Sequence, residues 1–273
     1  MNTKIMAIIN TSPESFSGDG VIDENGIKLR IQQAVSEGAD MLDIGGQSTR
    51  PGARIISEAE EIERVLPAIK VAREITDLPI SVDTFKPAVA EAALKAGATI
   101  LNDIHGGEDA KIVELAKQYG TDFVVMHSRG TPETMGAMVE YPDGVVDEVM
   151  NFLKIRTDQI VAAGVSREKI IIDPGIGFAK TAAQSFELTQ ALNKFKTLGF
   201  RVLYGASRKS FLGKALADES GELLPANRRL NATIVTTTQA LLQDIDIIRV
   251  HDVQAAVQSR RIVDCIKNPS LLE

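Results

Sequence analysis

Four residues that could recognise one ligand lie at or just past the ends of four of this chain's short apolar runs. Asp83 follows the run 80–82, Asn102 follows 99–101, Asp173 follows 170–172, and Lys209 lies just past 202–204. Two carboxylates, a carboxamide and an ammonium offer the acceptors and donors that the edge of a flat, nitrogen-rich heterocycle with amino and oxo groups needs. The set suits recognition better than hydrolysis. Buried carboxylates are costly without partners, so Lys209 is expected to pair with Asp173 or Asp83. Taken singly, each of the four reads equally well as part of a salt-bridged polar layer over a core.

A second set has the character of an anion clamp. In Arg249-Val250-His251 the alternation of a strand puts Arg249 and His251 on one face and Val250 on the other, a disposition that fits a diphosphate. A lone histidine is more often a structural hydrogen-bonding residue. After the flexible Gly45-Gly46 pair, Thr49 and Arg50 add a hydroxyl and a cation, and Pro51 stiffens the exit. Asn10 ends the first apolar run. Beside a diphosphate its carboxamide oxygen can complete the shell of a Mg²⁺ ion, although an ordinary turn asparagine has the same spacing. Ser207-Arg208-Lys209-Ser210 spans a strand-to-helix junction, with Ser210 at a helix start where a carboxylate is favoured. HExxH, Cys/His arrays and the phosphate-binding glycine loop are all missing from the sequence.

Eight short apolar runs must carry these residues: 5–9, 41–44, 80–82, 99–101, 123–126, 170–172, 202–204 and 247–250. Runs of that length suit strands buried on both faces, and the polar clusters at their C-terminal ends mark the working rim of a barrel. Between them lie helical spacings: Ile27, Ile31, Ala34 and Gly38; Ile62, Val65, Leu66 and Ile69; Val89, Ala92, Ala93 and Ala96. Pro87 suits a first helical turn, and Gly38, Gly97, Gly120, Gly164 and Gly199 suit helix stops. An open doubly wound sheet also alternates strands and helices. Eight units with polar residues at every strand end favour closure into a single-domain (β/α)₈ TIM barrel over residues 1–273. The connections 11–25, 45–57 and 130–144 are long enough to be binding loops or lids, and 218–227 interrupts the helical material before the last strand.

With 273 residues and 44% hydrophobic composition, one barrel uses the chain without remainder. A net charge of −7 argues against nucleic-acid or anionic-membrane partners. No segment has the length of a membrane span or a signal-peptide core, and the single cysteine, Cys265, fits a reducing cytoplasm.

Seven blocks in order, AIINTSPESFSGDG, DIGGQSTRPGA, SVDTFKPAVAEAALKAGATILNDIHGG, VVMHSRGTP, DPGIGFAK, SRKSFLG and IIRVHDV, make the chain resemble the dihydropteroate synthase family over essentially its whole length. The resemblance implies a (β/α)₈ fold and a transferase joining 6-hydroxymethyl-7,8-dihydropterin diphosphate to 4-aminobenzoate in folate synthesis, with release of diphosphate. It also implies Mg²⁺, a cytoplasmic homodimer and a sulfonamide target. Carried over by motif, Asp83, Asn102, Asp173 and Lys209 hold the pterin. Thr49, Arg249, Val250 and His251 meet the diphosphate, and Asn10 binds the metal. Phe16, Arg50, Pro51, Phe178, Lys209 and Ser210 surround the aminobenzoate. Catalysis is expected from Asp83, Asp173, Lys209, Arg249 and His251.

The chain departs from the family pattern at Thr11-Ser12-Pro13-Glu14, at Ser17-Gly18-Asp19-Gly20, at Gln47, where Glu is frequent, and at His105, where Ser is frequent. Rival readings are a pterin-binding methyltransferase, to which SRKS and RVHDV would be of little use, and an aldolase with Lys209 as a Schiff base. A non-catalytic pterin-binding paralogue is the third.

Overall fold

The computed structural model describes residues 3–12, 23–48, 53–131 and 133–272. Eight parallel strands close in sequence order into a barrel: β1 (Lys4–Asn10), β2 (Met41–Gly45), β3 (Ile80–Asp83), β4 (Ile100–Asp103), β5 (Asp122–Met126), β6 (Ile170–Asp173), β7 (Arg201–Tyr204) and β8 (Ile247–Val250). β8 pairs with β1, so the sheet has no free edge. The open-sheet alternative is thereby excluded, and every apolar run read from the sequence is a strand. The largest shift is in β4, which begins at Ile100 and extends through Asn102 and Asp103.

Alternation along the strands divides their side chains between two cores. Met6, Met41, Ile100, Val124, Ile171, Leu203 and Ile247 point inward and form a buried cluster that plugs the barrel. Their neighbours Ile5, Ala7, Leu42, Phe123, Val125, Ile170, Ile172 and Ile248 face outward into the larger core under the helices. Two residues further along the same inward faces lie Asp43, Asn102, Met126, Asp173, Gly205 and Arg249. The register sets them side by side: Asn10 opposite Gly45, Gly45 opposite Asp83, Asp83 opposite Asn102, and Met126 opposite Asp173. The polar mouth is therefore the continuation of the apolar plug.

The outer ring contains α1 (Glu24–Ser36), α2 (Glu58–Ile75), α3 (Pro87–Lys95), α4 (Ala110–Tyr119), α5 (Val145–Ala162), α6 (Ala182–Gln190), α7 (Leu192–Phe195), α8 (Ser210–Ala215), α9 (Leu230–Leu242) and α10 (Val253–Lys267). Local chemistry sets their limits. Asp23 and Ser57 cap α1 and α2 through Gly26 N–H (2.8 Å) and Glu60 N–H (3.2 Å). Thr181 and Gln184 form a capping box on α6, and α3 opens on Pro87. α4 stops at Gly120, whose left-handed φ of 58° disfavours any residue with a Cβ. Segment 218–227 separates α8 from α9, as its composition implies.

One ion pair lies inside this outer packing. Lys86 Nζ contacts Glu61 Oε2 at 2.6 Å, with side-chain exposures of 9% and 0%, and also donates to the Ile56 carbonyl at 2.7 Å. Removing one partner of such a pair strands the other charge in a dry environment. Lys86→Met should lower the urea-unfolding free energy by about 3–5 kcal/mol. Adding Glu61→Leu should restore most of it.

Candidate active site

At the C-terminal mouth of the barrel the inward side chains line a cavity whose non-atom space is about 1140 Å³, open solvent included. Its wall carries a three-residue ion cluster anchored on the fully buried Asp43. Arg249, on β8, donates from Nε to Asp43 Oδ2 at 2.5 Å and from Nη2 to Asp83 Oδ2 at 2.7 Å, so one guanidinium joins carboxylates on β2 and β3. Asn102, on β4, donates to the same Asp43 at 3.3 and 3.4 Å. Asp43 is completely buried. It is a site residue that sequence reasoning missed, hidden in the middle of the apolar stretch Met41–Gly45.

Asp173 closes β6 and accepts Gly175 N–H at 2.7 Å. Lys209 reaches in from the end of β7. The expected pairing of Lys209 with Asp83 or Asp173 is not found: among the described residues it forms no ion pair within 4 Å, and Asp83 is held by Arg249 instead. Lys209 Nζ donates to the Ile176 carbonyl and sits 4.5 Å from the Phe178 ring centroid. The turn after β6 carries that carbonyl and that ring, so it intercepts the ammonium before it can reach the carboxylate. Asp173 still acts on Lys209 through space.

Burial shapes the titration of these groups. Desolvation pushes Asp83 up to about 7, opposed chiefly by Arg249 and reinforced by Asp43. Asp173 is raised for the same reason and held back by Lys209, the Gly175 N–H, Arg249 and Lys180. Lys209 is pulled down to about 8 by burial, against the attraction of Asp173. Burial would lower Arg249, but Asp43, Asp83 and Asp173 together hold it above its ordinary value. Two carboxylates, Asp83 and Asp173, and two cations, Lys209 and Arg249, thus line one cavity, with Asp43 buried against Arg249, an arrangement completed by a ligand that brings N–H donors.

Nearer the opening, Asn10, His251 and Ser210 also line the cavity. His251 is fixed by Ser207, whose Oγ lies 2.9 Å from Nδ1 and accepts the His251 N–H at 3.2 Å. Val250 faces away into the outer core, as the strand alternation requires. Arg208 turns back to Asp252 in a two-point ion pair and has a left-handed φ of 57°, which lets Ser207 and Lys209 on either side face the site. α8 begins at Ser210, where the sequence puts a helix start, and Ser210 is exposed at the rim. Met126 and Met135 supply apolar wall. Met135 comes from a one-turn 3₁₀ helix in the loop after β5, a contribution that strand-end reasoning had no means to find.

Phe16, Thr49, Arg50 and Pro51 lie outside the described residues, as do 13–22 with most of the departures in the first loop. Gln47 has a clear role. Its amide donates to the carbonyls of Ser48 and Arg54, both at 2.8 Å, and its oxygen accepts Ile56 N–H at 2.9 Å. A glutamate could not donate to two carbonyls, so the carboxamide binds both flanks of segment 49–52. His105 stacks on Phe85 with centroids 4.5 Å apart, joining the loops after β3 and β4.

As for a metal, among the described residues no three His, Cys, Asp or Glu side chains gather as a ligand set. Asn10 presents a hard oxygen donor at the cavity wall, which fits a Mg²⁺ held mainly by a ligand's own phosphate oxygens and water.

Comparison with known proteins agrees with this geometry. The family described as pterin binding enzyme matches residues 6–251. The chain is 42% identical to the dihydropteroate synthase of Synechocystis sp. over 268 residues, covering 97% of this chain and 90% of the relative. A Yersinia pestis dihydropteroate synthase solved with a sulfonamide drug complex superposes with a TM-score of 0.91 at 34% identity, covering 97% of this chain and 94% of that one. The Xanthomonas albilineans enzyme with 4-aminobenzoic acid gives a TM-score of 0.87 at 34% identity, with coverage of 97% and 93%. The Anaplasma phagocytophilum enzyme with bound 6-hydroxymethylpterin-monophosphate also gives 0.87, at 30% identity and coverage of 97% and 100%.

The turn after β6 is tightly constrained. Gly175 has a φ of 68°, and a Cβ there would lie 1.8 Å from the His127 carbonyl oxygen, whereas Gly120, with a φ of 58°, has open space around it. Gly120→Ala should cost about 1–2 kcal/mol in chemical denaturation, the strain of the left-handed backbone alone. Gly175→Ala should cost at least about 3 kcal/mol, because the strand end must also move.

Proposed function

The chain belongs to the pterin-binding enzyme family, and we infer that it is a dihydropteroate synthase, the transferase that joins 6-hydroxymethyl-7,8-dihydropterin diphosphate to 4-aminobenzoate in folate synthesis. The observation that carries the reading is the single cavity holding Asp83, Asn102, Asp173 and Lys209 around the Arg249 cluster. In this reading the pterin ring lies deep, with its amino and ring N–H groups on Asp83 and Asp173 and its oxo group toward Lys209 and Asn102. The diphosphate lies nearer the opening, at Asn10, Arg249 and His251, with the Val250 backbone alongside and Thr49 contributing from the second loop. Phe178 and Ser210 flank the aminobenzoate, with Phe16, Arg50 and Pro51 completing its surroundings.

The reaction is a direct substitution at the pterin methylene carbon. The amine lone pair forms the C–N bond as the C–O pair departs with diphosphate, and the new ammonium gives its proton to solvent. Asp83 and Asp173 stabilise positive charge that spreads from that carbon into the electron-rich ring. Arg249 and His251 offset charge on the leaving group. An aromatic amine is nucleophilic at neutral pH without a strong base, so the protein orients it and excludes water. Mg²⁺ held at Asn10 would supply further charge neutralisation on the diphosphate.

Incubating the purified protein with both substrates and Mg²⁺ should release diphosphate and form dihydropteroate, and a chelator should suppress turnover until Mg²⁺ is restored. A correctly folded protein that releases no diphosphate would refute the activity. The titrations fix the pH dependence. Asp83, raised to about 7, must lose its proton to accept the ring's N–H donors, so kcat/KM for the pterin diphosphate climbs through that region. Lys209, lowered to about 8, must keep its proton, so kcat/KM declines above that value. The profile should be a narrow bell, and Lys209→Arg should push its alkaline side to higher pH. A sulfonamide should compete with 4-aminobenzoate for the same wall, as the Yersinia pestis complex makes natural.

The assembly is a homodimer in this reading. α9 and α10 pack on one another and expose Val235 and Leu242 on one, Ile262 and Ile266 on the other, an apolar face suited to a second copy. Sedimentation velocity should give a dimer, and Ile262→Glu with Ile266→Glu should give a folded monomer. A reducing, cytoplasmic setting fits the single cysteine, and no helix among the described residues is long and apolar enough to cross a membrane.

A further inference from the structure

Behind the cavity wall lies a buried pair that the reaction described above does not use. Lys180, at the end of the turn after β6, is 9% exposed, and His127, just past β5, is 1% exposed. Lys180 Nζ lies 2.9 Å from His127 Nδ1 and donates to the Phe178 carbonyl, also at 2.9 Å. Burial, with Lys180 and Arg129 nearby, holds His127 neutral at about 2. Burial also lowers Lys180 well below its ordinary value, so the two nitrogens share one hydrogen bond whose direction follows the His127 tautomer. His127 is further wedged edge-on against Phe152, with centroids 4.8 Å apart.

These bonds form part of a circuit. His127 N–H donates to the Asp173 carbonyl at 3.0 Å, and Phe178 N–H to the Gly175 carbonyl at 3.1 Å. Gly175 N–H donates to the Asp173 carboxylate at 2.7 Å. Tyr141 Oη donates to the Ala179 carbonyl at 2.9 Å, and Ala179 is held at a left-handed φ of 48°, a conformation that a turn without such fastening would relax. Asp173 and Phe178 thus sit on one rigid turn. Among the described residues, Lys180 is the side chain that joins the Phe178 end of the turn to His127, just past β5, which holds the Asp173 end.

Asp173 is assigned above to the pterin and Phe178 to the aminobenzoate, so their spacing sets how the amine approaches the methylene carbon. We infer that Lys180 is a positioning residue for the reaction: without touching either substrate, it fixes the distance between the pterin carboxylate and the aminobenzoate wall. This rests on the functional reading above. An error of about 1 Å in such an alignment costs turnover as well as affinity.

The test compares wild type with Lys180→Met and His127→Phe. Lys180→Met should raise KM for 4-aminobenzoate and lower kcat, each by about tenfold. KM for the pterin diphosphate should change much less, because Asp83, Asn102 and Lys209 lie on other elements. His127→Phe removes the hydrogen-bonding partner of Lys180 and should act in the same direction. A merely structural role would reduce the folded fraction, and hence kcat alone, leaving both KM values in place. Unchanged KM for 4-aminobenzoate in a folded Lys180→Met overturns the inference. If that variant does not fold, unchanged KM in His127→Phe does the same. Should wild type itself show no turnover, the functional reading fails, and crystal structures of wild type and Lys180→Met decide the point separately. The inference requires Phe178 to leave its place over Lys209 in the variant, and an undisturbed Phe178 contradicts it.

Discussion

Everything at the barrel mouth depends on one guanidinium. Asp83 and Asp173 line the same cavity and Asp43 lies fully buried beside it, and carboxylates so placed are costly without a cationic partner. Arg249 is the cation that keeps this arrangement tenable, bonded to Asp43 and Asp83 at once and attracted by Asp173 as well. A planar fork with several fixed N–H groups can serve two carboxylates from different strands, whereas an ammonium would offer a point charge without that geometry. Asn102 supports the same cluster with a neutral donor to Asp43. Lys209 acts separately, tied to a backbone carbonyl and close to an aromatic face.

The fold makes such a cluster possible by sealing the barrel beneath it. Seven inward apolar side chains plug the interior, so the polar layer above has protein on its inner side and solvent only at the opening. In that setting charge interactions are strong, and the positions of donors are set by strand register and not by mobile side chains. The same register sets Asn10, Asp83 and Asn102 around one rim, where they share the cavity with Asp173, Lys209, His251 and the exposed Ser210.

Much of this was legible in the sequence because a parallel barrel encodes its rim locally. Each apolar run ends within two residues of its strand's end, so Asp83, Asn102, Asp173 and His251 announce themselves as rim residues, with Arg249 inside the last run and Lys209 just beyond β7. Closure itself followed from the number of units. What could not be read locally was pairing across the barrel. Arg249 meets Asp43 across 206 positions of sequence, and nothing near either residue names the other. Asp43 was further concealed by its apolar neighbours Leu42 and Ile44, although an acid at an inward position two residues before the rim is itself a signal once the alternation is known. Lys209 was misjudged for a related reason: the turn that intercepts it begins on a different strand. Gln47 was visible as a departure from the family pattern, but its use for two carbonyl acceptors required the path of the loop.

If Arg249 and burial together leave Asp83 poised near neutrality, a pterin ring that offers N–H donors must displace a proton from it on binding. Titration calorimetry at pH 7 in two buffers of different ionisation enthalpy counts that proton directly, with dihydropterin lacking the diphosphate as ligand so that phosphate ionisation does not contribute. Wild type should release a fraction of a proton on binding, and Asp83→Asn should release none. Binding with no proton exchange, or release that persists unchanged in Asp83→Asn, would contradict it.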